Sequence, residues 1–224
     1  MRHGYLLSTL LLVAATAHAG VIINGTRLVY QGGKKESSIG ISNPDATDYL
    51  VQSWADSGGK DLAKAPFLIT PPLFRLDAKQ ENVLRVVRTG GNLPEDRESM
   101  FWLNIKAIPS SKKVAGVNTL QIAVNTRIKL MYRPASVKGK PEAVADQLEW
   151  HREGNDLEVN IPTHIYMNIQ SVTLNGHKVD KATWAVPKTE THFALPAHTG
   201  GSTVSWSIIT DYGSISKTLS ASVH

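Results

Sequence analysis

Short apolar runs separated by turn residues fill the first half of this 224-residue chain, and no helical stripe of any length appears between Gly20 and Tyr132. Such runs are typical of β-strands, and the glycine, proline and asparagine residues between them favour tight turns. The strand candidates are Val21–Tyr30, Ser37–Ser42, Tyr49–Ala55, Phe67–Thr70, Asn82–Val87, Met100–Ile108 and Thr119–Tyr132. About seven short strands at this spacing predict an immunoglobulin-like sandwich.

A polar segment, Pro134–Ala145, interrupts this pattern and is interpreted as a linker. Strand candidates then resume, and Asn175-Gly176 between two of them is a strong signal for a tight hairpin. The candidates after the linker are Gln147–Arg152, Leu157–Ile161, Tyr166–Leu174, Ala182–Val186, Phe193–Leu195, Ser202–Thr210 and Ser214–Ser222. We therefore predict an all-β fold of two immunoglobulin-like β-sandwich domains, covering residues 20–137 and 138–224.

Residues 1–19 have the composition of a secretory signal peptide. A short basic start that includes Arg2 precedes the largely apolar Tyr5–Ala15, and Ala17-His18-Ala19 is a small-x-small cleavage site. The other interpretation, a membrane anchor, needs roughly 20 consecutive apolar residues, and this run is shorter. We therefore expect cleavage near Ala19 and export of a soluble protein.

Charge and cysteine content narrow the classes of function. Of the 24 lysines and arginines only Arg2 is lost with the signal peptide, so against 19 acidic residues the mature net charge is +4. This mild excess suits an acidic or carboxylate-bearing partner, and the absence of a dense basic run argues against nucleic acid. Because the chain has no cysteine, it offers neither a thiol nucleophile nor a thiolate metal ligand.

The histidines form none of the usual metal-binding motifs. Five residues separate His192 from His198, but Pro196 interrupts the pair and no cysteine completes a finger. The chain also lacks the GxSxG, P-loop and GxGxxG motifs. We therefore expect no metal, no cofactor and no enzymatic activity.

Two neighbouring segments carry the most specific pattern. In LPEDRESMFWLNIKAIPS, residues 93–110, an acidic-basic-acidic trio precedes an apolar strand that stops at Pro109. In TLQIAVNTRIKLMYRP, residues 119–134, Leu120, Ile122 and Val124 alternate with more polar residues. Alternation alone leaves two interpretations open: this apolar face packs in the protein's own core, or it lies on an exposed edge strand. An exposed apolar edge promotes aggregation unless a partner covers it.

Together these segments resemble the signature region of the periplasmic pilus (fimbrial) assembly chaperones. The matching positions in the first segment include Asp96, Glu98, Trp102, Asn104 and Pro109. Supporting matches extend over Thr26–Tyr30, Ile41–Asn43, Thr70–Pro72 and Asp211–Gly213. The segment between Pro109 and Leu120 is short and resembles the short-loop branch, which serves rod-like pili.

The resemblance implies a fold, a location and a function. It implies two sandwich domains in an L-shaped arrangement, acting in the periplasm. Such a protein binds pilus subunits by donor-strand complementation, in which it lends a strand to the incomplete sandwich of the subunit. It then delivers the subunit to an outer-membrane usher. Because the donor strand is uncapped in the free protein, we also expect weak self-association.

The resemblance also assigns roles to three sets of residues. The apolar residues of the donor strand are Leu120, Ile122 and Val124. The residues that anchor the C-terminal carboxylate of the subunit are Arg27 and Lys129. The residues of an ionic cluster that fixes the angle between the domains are Glu98, Arg133 and Asp211.

Spacing leaves two questions about these residues open. Arg127 has the same strand parity as Lys129, so it is an alternative anchor. Parity also puts Lys129 on the opposite face from Leu120, Ile122 and Val124. A strand twist, a bulge or an approach to the cleft from the other face would each reconcile the two roles.

Two other classes of protein compete with the chaperone. The alternative function is that of a two-domain adhesive or structural surface β-sandwich protein. The third class is a metal-dependent sandwich enzyme, and the scattered histidines argue against it.

Overall fold

The computed structural model describes residues 20–59, 64–111, 120–197 and 199–223. The buried apolar residues in these ranges form two separate hydrophobic cores. One core is built from residues between Leu28 and Tyr132, and the other from residues between Val137 and Ile208. The prediction of an all-β chain with two domains is therefore confirmed, while the exact boundary at 137/138 stays a prediction. Val137 itself packs into the second core.

The first domain packs two sheets against each other. Its described strands are β1 (Ile22–Ile23), β2 (Arg27–Gln31), β3 (Ser37–Ser42), β4 (Tyr49–Asp56), β5 (Phe67–Thr70), β6 (Leu73–Leu76), β7 (Glu81–Arg88), β8 (Ser99–Pro109) and β9 (Val124–Arg133). The strand orders are β1-β3-β7-β5 and β2-β9-β8-β4-β6. β2 and β9 are parallel, whereas β9 and β8 are antiparallel. This order places β2, near the start of the domain, beside β9, the last of its described strands.

The alternation in the sequence explains how these strands form a sandwich. On β9, Ile128, Leu130 and Tyr132 are buried in the core, and the residues between them belong to the opposite face. On β2, Leu28 and Tyr30 do the same. The opposite face of β2 and β9 is therefore available for contacts with the second domain.

Two short 3-10 turns, Pro141–Ala143 and Ala145–Gln147, lead into the second domain. Its described strands are β10 (Glu149–Glu153), β11 (Asp156–Asn160), β12 (Met167–Leu174), β13 (His177–Lys178), β14 (Trp184–Ala185), β15 (Glu190–Ala194), β16 (Thr203–Ile208) and β17 (Leu219–Ser222). One sheet has the order β10-β11-β15, and the other has the order β13-β12-β16-β17 with β14 also paired to β12. The rings of Trp150 and Trp206 are buried between the two sheets, and their centroids lie 5.4 Å apart.

Several strand predictions need correction. The candidate Val21–Tyr30 is two strands, because the chain crosses from one sheet to the other between β1 and β2. The candidate Thr119–Tyr132 begins as a strand only at Val124, and Thr119 lies outside the described residues. The candidate Ser214–Ser222 is a strand only over Leu219–Ser222. The hairpin at Asn175-Gly176 is confirmed, because Leu174 pairs with His177 across the two-residue turn.

The predicted signal peptide, residues 1–19, lies outside the described residues. Within the ranges that the structure does describe, no helix combines the length and apolar character that crossing a bilayer requires.

Candidate functional site between the domains

Two basic residues lie side by side where the domains meet. Arg27 on β2 is the register partner of Lys129 on β9. Directly opposed residues in neighbouring strands point to the same face of a sheet. Because the flanking Leu28 and Leu130 are buried in the core, Arg27 and Lys129 belong to the outer face.

The second domain contacts Lys129 from two strands. The Lys129 ammonium donates a hydrogen bond to Asn168 Oδ1 at 2.6 Å, and it lies 4.9 Å from the centroid of the Trp184 ring. Asn168 on β12 and Trp184 on β14 are themselves paired. Burial, together with the neighbouring Arg27 charge, lowers the pKa of Lys129 to about 8. The ammonium is thus positioned by a neutral amide and an aromatic face, and no carboxylate of the described residues forms an ion pair with it.

Arg27, like Lys129, is partly buried and contacts the second domain. Its Nη1 donates a hydrogen bond to the carbonyl oxygen of Ile209 at 3.3 Å, while its Nε is buried without a hydrogen-bond partner. Burial lowers the pKa of Arg27, and the charge of Asp211 acts in the opposite direction. Among the ion pairs of the described residues, none includes Arg27 or Lys129. Buried charge without a counter-charge is costly, so this pair is suited to bind an anion.

Arg127 differs from Lys129 despite its matching parity. Its Nη2 pairs with the buried carboxylate of Asp56 at 2.8 Å, and its guanidinium stacks over Trp102 at 4.8 Å from the ring centroid. Asp56 also accepts a hydrogen bond from Asn104 Nδ2 at 2.7 Å. The charge of Arg127 is therefore already balanced within the first domain.

An open strand edge leads away from the basic pair. β9 pairs with β8 from Val124 to Tyr132, but it pairs with β2 only from Lys129 to Arg133. Over residues 124–128 the second edge of β9 has no strand partner among the described residues. Unpaired backbone donors and acceptors at such an edge can hydrogen-bond an added strand.

The apolar residues predicted to form the donor strand are exposed at this end of β9. The solvent-exposed fractions are 87% for Leu120, 64% for Ile122 and 52% for Val124. The interpretation that this face packs in the protein's own core is therefore wrong. Residues 120–123 precede β9 rather than form part of it.

The register of β8 and β9 answers the parity question for Val124, the one predicted donor residue that lies within β9. No shift interrupts the pairing of β8 and β9 between Val124 and Tyr132, so no bulge lies there. Val124 has the parity of the core-facing Ile128, whereas Lys129 belongs to the outer face that meets the second domain. Within β9, Val124 and the anchor residue Lys129 thus belong to opposite faces.

Glu98, Arg133 and Asp211 come together in one cluster, in which Glu98 and Arg133 are buried and Asp211 is partly buried. Arg133 Nε lies 2.5 Å from Glu98 Oε1, and its two terminal nitrogens bind the Asp211 carboxylate at 2.8 and 3.0 Å. Glu98 also accepts a hydrogen bond from the backbone N–H of Tyr166 at 2.7 Å. Burial raises the pKa of Glu98, against the effects of Arg133 and the Tyr166 N–H. Since Tyr166 and Asp211 belong to the second domain, these bonds join the two domains.

The second-domain residues around Lys129 were not identified from the sequence. Asn168 and Trp184 lie in segments without a distinctive motif, and Ile209 contributes only a backbone carbonyl. Pairing of β12 with β14 brings them to the cleft. No linear pattern in the sequence indicates this arrangement.

Both domains of this chain match one family of known proteins. Residues 20–138 match the family model described as "Pili and flagellar-assembly chaperone, PapD N-terminal domain", and residues 143–220 match "Pili assembly chaperone PapD, C-terminal domain". The probable fimbrial chaperone LpfB of Escherichia coli O157:H7 is 40% identical over 220 residues, which cover 96% of this chain and 94% of LpfB. The chaperone protein FimC of Escherichia coli K12 is 39% identical over 217 residues, which cover 95% of this chain and 88% of FimC.

A solved structure from a pilus chaperone complex also matches this chain over both domains. The Salmonella enterica SafA pilin in complex with the SafB chaperone contains a chain that matches with a TM-score of 0.84 and 38% identity. The match covers 93% of this chain and 98% of the matched chain.

The fold and the site define a two-domain immunoglobulin-like protein in which an open strand edge lies beside two basic residues that have no ion-pair partner among the described residues. The chain belongs to the PapD-like family of pilus-assembly chaperones. Fimbrial chaperones of this family are periplasmic, and the family is one of chaperones rather than known enzymes. The prediction of a pilus chaperone is thus confirmed, and the adhesive or structural alternative is not favoured.

Proposed function

We propose that this protein binds pilus subunits in the periplasm by donor-strand complementation and delivers them to an outer-membrane usher. In this proposal Arg27 and Lys129 anchor the C-terminal carboxylate of the subunit. Leu120, Ile122 and Val124 then fill the groove of its incomplete sandwich. The protein acts as a binding partner without turnover chemistry, and residues 1–19 are removed as a signal peptide during export.

The observation that carries the proposal is the unpaired basic pair at the end of an open strand edge. A carboxylate placed between Arg27 and Lys129 would accept charge-assisted hydrogen bonds, each worth about 1.5–3 kcal/mol. Its binding would also supply an ion-pair partner, which neither residue has among the residues that the structure describes.

The anchor would also set the register of the added strand. A strand that starts at Lys129 and follows the open edge passes Val124 after five residues, about 17 Å away at the usual rise per residue. A slip by one residue would turn the wrong side chains toward Leu120, Ile122 and Val124. Fixing the chain end therefore selects one pairing.

For Glu98, Arg133 and Asp211 we propose an orienting role. Their bonds connect the domain that carries the basic pair to the domain that carries Asn168 and Trp184. A change in the interdomain angle would move Asn168 and Trp184 away from Lys129. The cluster would thus affect subunit binding without touching the subunit.

Co-expression with candidate pilus subunits from the same genome tests the proposal. The protein is produced with its signal peptide and purified from the periplasm. We expect one subunit to co-elute at a one-to-one ratio, and Lys129→Ala to abolish the complex. Arg127→Ala is the matched control, because Arg127 lies two residues away on the same face but is balanced by Asp56.

The outcomes separate the parts of the proposal. A complex that survives Lys129→Ala but is lost in an Arg127→Ala variant that urea unfolding shows to be folded would keep the chaperone function and move the anchor to Arg127. Failure to recover a complex with any subunit would overturn the proposed function.

A further inference from the structure

The outer face of the three-stranded sheet in the second domain carries a row of potential metal ligands. His151 on β10 is the register partner of Glu158 on β11, and Glu158 is the partner of His192 on β15. The residues that flank Glu158, Leu157 and Val159, are buried in the core. The row His151–Glu158–His192 therefore crosses the solvent-facing side of the sheet.

Three side chains on this face already converge. The potential ligand atoms of Glu153, Glu158 and His192 all lie within 4.8 Å of one another. Glu153 is on β10, two residues from His151 and on the same face. Each of the three strands thus supplies one ligand, so the sheet holds the set together.

The acidic side chains of this face also favour the binding of a cation. Besides the two histidines, the outer positions of the three strands carry Glu149, Glu153, Asp156, Glu158 and Glu190. No lysine or arginine among the described residues forms an ion pair with them, although the chain as a whole has a net charge of +5. Like charges on neighbouring strands destabilise a sheet, and a bound divalent cation would relieve this repulsion.

We infer that Glu153, Glu158 and His192 form a zinc-binding site. One imidazole nitrogen and two carboxylate oxygens are a donor set that suits Zn²⁺, with water in the remaining position. Ligand atoms around one zinc ion lie about 3–3.5 Å apart, given bond lengths near 2.0–2.2 Å. Glu153 and His192 are exposed, so small rotations of their side chains close the remaining distance.

This site departs from the expectation of no metal, which was drawn from linear spacing. The three ligands lie on three different strands, and only the pairing of β10, β11 and β15 brings them together. None of them belongs to the basic pair, the donor residues or the interdomain cluster. The zinc site is therefore independent of the proposed chaperone function.

Isothermal titration of the untagged, metal-free mature protein with ZnCl₂ tests the inference. We expect one zinc per chain, with the affinity lowered at least about tenfold in both His192→Ala and Glu158→Gln. His177→Ala is the matched control, because His177 is also exposed but lies on β13 in the other sheet. It should bind zinc as the wild type does.

Thermal unfolding with and without zinc gives a second measurement, because a ligand that binds the folded state raises its melting temperature. We expect zinc to raise the melting temperature of the wild type and of His177→Ala, but not of His192→Ala. Two results would overturn the inference: no zinc binding by the wild type, or unchanged binding in both His192→Ala and Glu158→Gln.

Discussion

Arg27 and Lys129 occupy opposed positions in the parallel pairing of β2 and β9, and neither has a carboxylate partner among the described residues. The second domain surrounds Lys129 with an amide and an aromatic ring instead. This arrangement keeps the two cations close together in a partly buried position. It explains why the pKa of Lys129 falls to about 8.

Subunit binding should weaken as the pH rises through about 8. Below this pH Lys129 is protonated and attracts a carboxylate, and above it the neutral amine loses that attraction. The measurement is the affinity for a peptide with the C-terminal sequence of the subunit, between pH 7 and pH 9.5. Lys129→Arg is the control, because a guanidinium stays charged over this range and should flatten the pH profile. Identical profiles for the wild type and Lys129→Arg would contradict the prediction.

Replacing Lys129 by methionine should stabilise the folded protein at pH 7. A lysine with a lowered pKa binds its proton more weakly when folded than when unfolded, so its charge costs stability below about pH 8. The cost disappears as the pH rises toward the ordinary pKa of 10.5. We expect a gain on the order of 1 kcal/mol in urea unfolding, after allowance for solvent screening.

The matched variant for this prediction is Arg127→Met. It removes the partner of the buried Asp56 and should therefore destabilise the protein. The difference between wild type and Lys129→Met should also shrink at pH 10. A destabilised Lys129→Met at pH 7 would show that the charge contributes to folding, against this account.

Asp211→Asn should loosen the connection between the domains. It weakens the two-point contact with Arg133 and leaves that buried guanidinium with Glu98 alone. We expect the free energy of unfolding to fall by up to about 3–5 kcal/mol, the usual cost of removing one partner of a buried ion pair. Small-angle X-ray scattering should show a broader distribution of interdomain distances.

The control for the cluster is Asp96→Asn. Asp96 also joins the domains, through Lys188 at 3.0 Å, but this ion pair is exposed. Its loss should leave scattering and subunit binding unchanged. If Asp211→Asn also left both unchanged, the orienting role would have to be abandoned.

Serine at positions 120, 122 and 124 should abolish subunit protection without unfolding the chaperone. The three apolar side chains are exposed in the free protein, so we expect each substitution to change its free energy of unfolding by less than about 0.5 kcal/mol. The measurement is the yield of soluble subunit on co-expression, alongside urea unfolding of the variant. Ile128→Ala is the contrasting change: Ile128 is buried on the same strand, and its loss should cost about 2–5 kcal/mol. Normal subunit yield with the triple serine variant would rule out the donor role.

Much of the fold could be predicted from the sequence because strand alternation is a local property. The turn at Asn175-Gly176 follows directly from residue types and their spacing, because this dipeptide between two strand segments favours a two-residue hairpin. The division of Val21–Tyr30 between two sheets could not be predicted, since both parts have the same apolar character. The same limit applies to the start of β9 at Val124, because residues 120–123 alternate as a strand would.

For the site, the sequence alone determined which residues are apolar, which are charged and which share a strand face. The resemblance of 93–110 and 119–134 to pilus chaperones then supplied candidate roles for Arg27, Lys129 and the cluster of Glu98, Arg133 and Asp211. Only the tertiary structure decided that Arg127 is balanced by Asp56, whereas Lys129 contacts a neutral amide and has no ion-pair partner in the described part of the chain. Only it brought Glu153, Glu158 and His192 together across three strands. The physical reason is that side-chain direction follows from neighbours along the chain, whereas strand order depends on hydrogen bonds and packing between residues far apart in sequence.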